Sequence, residues 1–119
     1  MLLIQGKAKE SEIAGIGLFA TEFIGKGTVI WKFDPKVDTA AVLADKNQLF
    51  YGYVSKQTGR VITPGDDARH INHSDTPNVG TRFEDGVEED VNFALQDISP
   101  GDEITIDYRT FAQEGVDFK

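Results

Sequence analysis

Ala68-Arg69-His70-Ile71-Asn72-His73-Ser74-Asp75-Thr76-Pro77-Asn78 is the stretch that decides how this chain is read. It follows directly on the Pro64-Gly65 break and crowds two Asn, two His, a Ser and a Pro together. Asn72 offers a side-chain donor and an acceptor, and His73 can act through its ring or its main chain. Pro77 fixes a turn, and Asn78 is suited to satisfying loop backbone groups. A merely polar loop would scatter such residues, whereas this dense order suits the holding of a small polar ligand. A hydrolase built on Ser74 and His73 fails on geometry. Adjacent residues rarely present hydroxyl and imidazole to one another, and there is no nucleophile elbow.

The second informative stretch is Pro100-Gly101-Asp102-Glu103-Ile104-Thr105-Ile106-Asp107-Tyr108. It reads as a tight turn followed by a strand, with Ile104 and Ile106 alternating against Glu103 and Thr105. Tyr108 at its end is, taken alone, a packing residue. Nearer the N-terminus, Gly15-Ile16-Gly17 sits between Ile13 and Leu18-Phe19. Two glycines flanking one residue allow a close approach of backbone to ligand, or simply a β-turn. They are no dinucleotide fingerprint, because neither a third glycine nor a helix follows.

Composition narrows the classes. At 119 residues the chain is read as one domain, spanning 1–119, with a core that needs no staples. It has no cysteine, which removes disulfides, thiolate nucleophiles and cysteine zinc sites. With only His70 and His73, no metal is expected. No apolar run approaches a membrane span. Met1 to Gly6 lacks a basic region and a cleavage site, so it reads as a strand and not a signal. An intracellular, soluble protein is the expectation: cytoplasmic if bacterial, with a secreted effector lacking a classical signal as the other case. The net charge of −8 is uneven, because residues 61–119 carry four Lys/Arg against fourteen Asp/Glu. That excess argues against direct nucleic-acid binding and favours a cationic partner, unless it is plain solubility charge.

Short apolar runs and twelve glycines suggest many short strands joined by turns. Strands are expected at Leu18–Ala20, Val29–Phe33, Phe50–Val54, Arg60–Thr63, Val79–Phe83, Val91–Ala94 and Glu103–Ile106. Lys56-Gln57-Thr58-Gly59 should close one hairpin and Asp85-Gly86, as a two-residue turn, another. One helix is expected over Ala40–Asn47, capped by Asp38 or Thr39. A weak repeat relates Ala20-x-x-x-Ile24-x-x-Gly27-x-x-Ile30 to Ala94-x-x-x-Ile98-x-x-Gly101-x-x-Ile104. Each copy reads as strand, tight turn, strand, which suggests paired small sheets or a coincidence of turn chemistry.

Gly15-Ile16-Gly17, the Asn72–Asn78 loop and Gly101–Tyr108, in this order, resemble the SET-domain family of protein lysine methyltransferases. The resemblance runs over about residues 5–111, with 5–108 as core and 109–119 as a short tail without Cys. It implies a mostly β fold, a β-clip of small sheets with one short helix and a C-terminal pseudoknot. It further implies S-adenosyl-L-methionine as methyl donor, contacted by Gly15, Ile16 and Gly17, by Asn72 and by His73 largely through its main chain. Arg69 and His70 would lie beside that pocket. Tyr108 would be the catalytic tyrosine. The product would be a methylated lysine of a basic protein or peptide, a histone or histone-like segment among the candidates.

The chain departs from the family in ways that carry their own expectations. Asp75 stands where many members have Cys, and His70 where Phe is common. The Cys-rich zinc segment that often follows the tyrosine is missing, so Phe111, or else Phe118, is expected to cover the cofactor. Ile106, two before Tyr108, leaves room for di- or trimethylation. Tyr51 or Tyr53, on one strand face, would line the substrate channel with Ile106 and Tyr108. A homodimer is a further expectation, as a way to finish the substrate groove. The alternative function is a non-catalytic β-clip that binds a ligand or a protein.

Overall fold

The computed structural model describes residues 1–42, 53–84, 86 and 89–112. Ten strands carry the fold: β1 (Gly6–Glu10), β2 (Ile16–Ala20), β3 (Val29–Lys32), β4 (Thr39–Val42), β5 (Tyr53–Val54), β6 (Arg60–Thr63), β7 (Asn72–His73), β8 (Val79–Arg82), β9 (Val91–Ala94) and β10 (Glu103–Ile106). Short 3₁₀ turns cover Asp67–His70 and Tyr108–Thr110. The larger sheet runs β1-β2-β10-β8-β9-β3, with β7 also paired to β10. The smaller has the order β4-β6-β5.

β10 is the organising strand. It runs antiparallel to β2 through Glu103 and Ile104, and parallel to β7 through Thr105 and Ile106. Ile106 also pairs with Val79 of β8. β7 and β8 are the two arms of one loop, so both arms grip the same late strand. Asn78 completes the grip. Its amide nitrogen donates to the Glu103 carbonyl at 2.8 Å, and its side-chain oxygen accepts the Thr105 N–H at 2.8 Å. This clasp of a C-terminal strand by preceding chain is the arrangement the resemblance implies, against the usual avoidance of threaded connections. Because β10 is covered on both faces, Thr105 is buried along with Ile104 and Ile106.

The repeat is visible in the hydrogen bonds. Ile24 and Ile98 exchange N–H···O bonds of 2.8 Å in both directions. The Gly101 N–H donates to Ala20 and the Gly27 N–H to Ala94, each at 2.8 Å. The Ala20 N–H donates to Asp102 and the Ala94 N–H to Thr28, each at 2.9 Å. Each copy thus holds the other through equivalent atoms. Gly27 and Gly101 adopt φ of 89° and 92°, a region that suits glycine alone. Ile24, Ile30, Ile98 and Ile104, the apolar members of the pattern, are all core residues beside Leu18, Trp31 and Val79.

Four local expectations need correction. Thr39–Val42 is a strand paired with β6, so the expected helix does not begin there; 43–47 lie outside the described residues. Asp38 caps no helix. Its carboxylate instead takes the Met1 amino group at 2.5 Å and the N–H groups of Asp34 and Gly65. Asp85-Gly86 does not close a two-residue hairpin, because Arg82 pairs with Val91 across a longer connection. Met1–Gly6 is not a strand: β1 starts at Gly6, and only Leu2 bridges to Trp31. The Lys56–Gly59 hairpin is present, with the Gly59 N–H bonded to Ser55. Tyr51 and Phe118 lie outside the described residues.

Candidate active site

Three segments far apart in sequence meet at Asn72. This side chain is 1% exposed. Its amide nitrogen reaches the Ala14 carbonyl at 3.1 Å, the Ile16 carbonyl at 3.4 Å and Glu103 Oε2 at 2.9 Å. Glu103 Oε1 accepts from the Ser11 hydroxyl at 2.7 Å. The amide of Asn72 is thus committed within the protein, where it fixes the β1–β2 hairpin tip against β10. Gly17 is explained by the same cluster. A Cβ there would stand 2.5 Å from Glu103 Oε2 and 3.0 Å from Ser11 Cβ. Gly15, at φ 39°, has nothing within 4 Å of a built Cβ, so the hairpin tip is open on that side. Ile16 is exposed beside it.

The turn Asp67–His70 packs against β1 and β2, the strands that end in this tip. Asp66 caps it by accepting the Ala68 N–H. Arg69 and His70, both half-buried, close that turn.

Tyr108 lies just past the end of β10. Its hydroxyl donates to the Ile71 carbonyl at 2.6 Å. Burial pushes its pKa up to about 12, so it is a neutral phenol at physiological pH. A phenol oxygen that donates its proton still has the lone pairs of an acceptor. The Tyr108 N–H donates to His73 Nδ1 at 3.1 Å.

The chain beyond Tyr108 is pinned to the β5–β6 hairpin. The Lys56 N–H bonds the Phe111 carbonyl at 2.9 Å, and Ala112 bridges Ser55. Phe111 is thereby set edge-on to both Tyr53, at 4.6 Å between centroids, and Tyr108, at 5.9 Å. Tyr53, Phe111 and Tyr108 form one aromatic row. Ile106, two residues before Tyr108, is buried in the core.

Several participants gave no signal in the sequence. Glu103 reads there as the outward side of an alternating strand. Ser11 and the Ile71 carbonyl stand out by nothing but position. Asp90 reads as loop charge, yet it is buried beside Tyr53 and Glu89. Among the described residues no cluster of His, Asp or Glu could hold a metal ion.

The SET domain model matches residues 15–109. A candidate histone-lysine N-methyltransferase 1 of Plasmodium falciparum is 29% identical over 114 residues, covering 85% of this chain and 2% of that protein. Histone-lysine N-methyltransferase trithorax of Drosophila virilis is 31% identical over 111 residues, covering 83% of this chain and 3% of that protein. The chain therefore spans only a small fraction of these relatives. Among solved structures, a candidate histone methyltransferase of Plasmodium falciparum superposes with a TM-score of 0.61 over 90% of this chain and 95% of its own, at 24% identity. KRYPTONITE, solved with mCHH DNA, an H3(1-15) peptide and SAH, gives a TM-score of 0.69 over 90% of this chain and 24% of its own, also at 24% identity. These structural likenesses speak for the fold alone. With the family model matched over most of its length, and with the clasped β10 and the Asn72–Tyr108 cluster in place, this chain belongs to the SET-domain family.

Proposed function

We propose that this chain transfers a methyl group from S-adenosylmethionine to the side-chain amine of a lysine in a basic protein segment. The observation that carries the reading is the Tyr108 hydroxyl: neutral, half-buried and bonded to the Ile71 carbonyl at 2.6 Å. SAH and an H3 peptide in the KRYPTONITE structure support the same donor and a histone-like acceptor.

The residues present suit the donor. The open hairpin tip at Gly15 lets a ligand approach main chain, and Asn72 fixes that tip from beneath. Arg69 and His70 would border it, the main chain of His73 would continue it, and Phe111 would cover it. When bound, S-adenosylmethionine supplies a methyl group on a positively charged sulfur. The lysine nitrogen forms the new N–C bond as the S–C bond breaks, and the surplus amine proton leaves to water.

The chain's own task is to present a neutral amine in line. Free lysine titrates near 10.4, so only about one in a thousand is neutral near pH 7.4. Desolvation in a narrow apolar channel would disfavour the ammonium, and each pKa unit of lowering corresponds to about 1.4 kcal/mol. The Tyr108 oxygen, its proton held by Ile71, accepts an N–H of the amine and aims its lone pair. Tyr53 and Phe111 restrict the approach. Correct placement can contribute several kcal/mol, roughly, without any strong base. The acidic C-terminal half draws a cationic segment towards the site.

Calorimetric titration of S-adenosylmethionine tests the donor half of the reading. Saturable heat with the wild type is expected. A folded protein that gives none contradicts it and favours a binding module without this donor.

A further inference from the structure

Behind Tyr108 lies a chain of contacts that the transfer itself does not use. His73 Nδ1 accepts the Tyr108 N–H at 3.1 Å. A ring nitrogen that accepts carries no proton, so the neutral imidazole must hold its proton on Nε2. Nε2 lies 3.1 Å from Asp75 Oδ1, which can accept that proton's hydrogen bond. Arg109 Nη2 reaches Asp75 Oδ1 at 3.1 Å and Asp107 Oδ2 at 2.7 Å. Asp107 directly precedes Tyr108 and caps the 3₁₀ turn that Tyr108 opens. The Arg109 guanidinium holds the Asp107 carboxyl below the usual carboxylate range.

Exposed ion pairs of this kind contribute little to stability. Their geometric effect is larger, because a carboxylate on one ring nitrogen dictates the state of the other.

We propose that Asp75, His73 and Arg109 form a positioning clamp for Tyr108, in which Asp75 selects the Nε2–H tautomer of His73 and the bare Nδ1 fixes the Tyr108 backbone. The direction of the phenol hydroxyl follows from that backbone. The clamp rests on the reading of Tyr108 as the residue that orients the amine. None of its three members touches the reacting atoms.

Nitrogen-15 NMR of the whole chain reads both halves directly. The His73 signals should show Nδ1 bare and Nε2 protonated, and the Tyr108 amide should shift in His73→Ala. Kinetics supply the second reading. His73→Ala should lower kcat tenfold or more, with KM for S-adenosylmethionine held within about twofold. His73→Asn can still accept the Tyr108 N–H through its amide oxygen, so it should recover most of the turnover. A ring protonated at Nδ1, a Tyr108 amide unmoved by His73→Ala, or full kcat in His73→Ala would each overturn the clamp. If the wild type transfers no methyl group, the functional reading fails, and the two NMR signatures still decide the clamp.

Discussion

Asn72 and Glu103, thirty-one residues apart, meet through a 2.9 Å bond from a buried amide to a carboxylate oxygen. That bond ties the Asn72–Asn78 loop to the late strand, and the same amide holds the Ala14 and Ile16 carbonyls. Removing it strands several polar atoms at once. Asn72→Ala should cost roughly 2–4 kcal/mol, since each buried group left unpaired costs about 1–3 kcal/mol. Urea unfolding measures the loss, and calorimetry should show weakened donor binding beyond it. A variant as stable as the wild type would mean that the hairpin tip is held by other contacts.

Asp90 makes stability depend on pH. Burial, reinforced by the neighbouring Glu89 charge, pushes its carboxyl up to about 7. The folded chain therefore keeps a proton that the unfolded chain releases near its ordinary value of 3.8. This contribution is fully present below about pH 4 and is lost as pH rises to about 7. At roughly 1.4 kcal/mol per unit it amounts to about 4 kcal/mol at most. Asp90→Asn cannot ionise. Its stability relative to the wild type should rise between pH 4 and pH 8, as read from denaturant midpoints at both values. A difference that stays constant with pH would show that Asp90 is not held protonated.

The two related turns predict matched substitutions. Gly27→Ala and Gly101→Ala place a side chain at φ near +90°, with nothing within 4 Å of either new Cβ. Only backbone strain then counts, so each should destabilise by about 1 kcal/mol or somewhat more. Thermal unfolding of the pair would show similar losses. One silent and one severe substitution would deny that the two halves hold one another equivalently.

Ile106 predicts the product. Its side chain is shorter than an aromatic one at the same position, so the account expects di- or trimethyl-lysine. Ile106→Phe should shift the product towards monomethyl-lysine, if the core around it adjusts. Mass spectrometry of the modified peptide reads the outcome, and a strictly monomethylated wild-type product would contradict it.

The parts of the fold visible in the sequence are those with local chemistry. The turn at Pro100-Gly101, the β10 alternation and the bracing role of Asn78 follow from residue type and spacing. Ala40-Ala41-Val42 misleads, because alanine favours helices in isolation while pairing with β6 makes the strand. Gly17 has a reason the sequence does not show: a Cβ there would run into Glu103 and Ser11. The partners of Asn72 lie 31, 56 and 58 residues away, and the Ile71 acceptor is a main-chain atom. No local pattern encodes such contacts, and only the family resemblance made the site legible in advance.

The central claim is that Tyr108 orients an amine for methylation, and labelled methyl transfer to a mixture of basic proteins tests it most directly. Wild type should place label on lysine. Tyr108→Phe should retain its fold and lose roughly 10²-fold or more in turnover, the scale of losing one oriented polar group at a reacting centre. Label transfer by Tyr108→Phe at the wild-type rate would contradict the account.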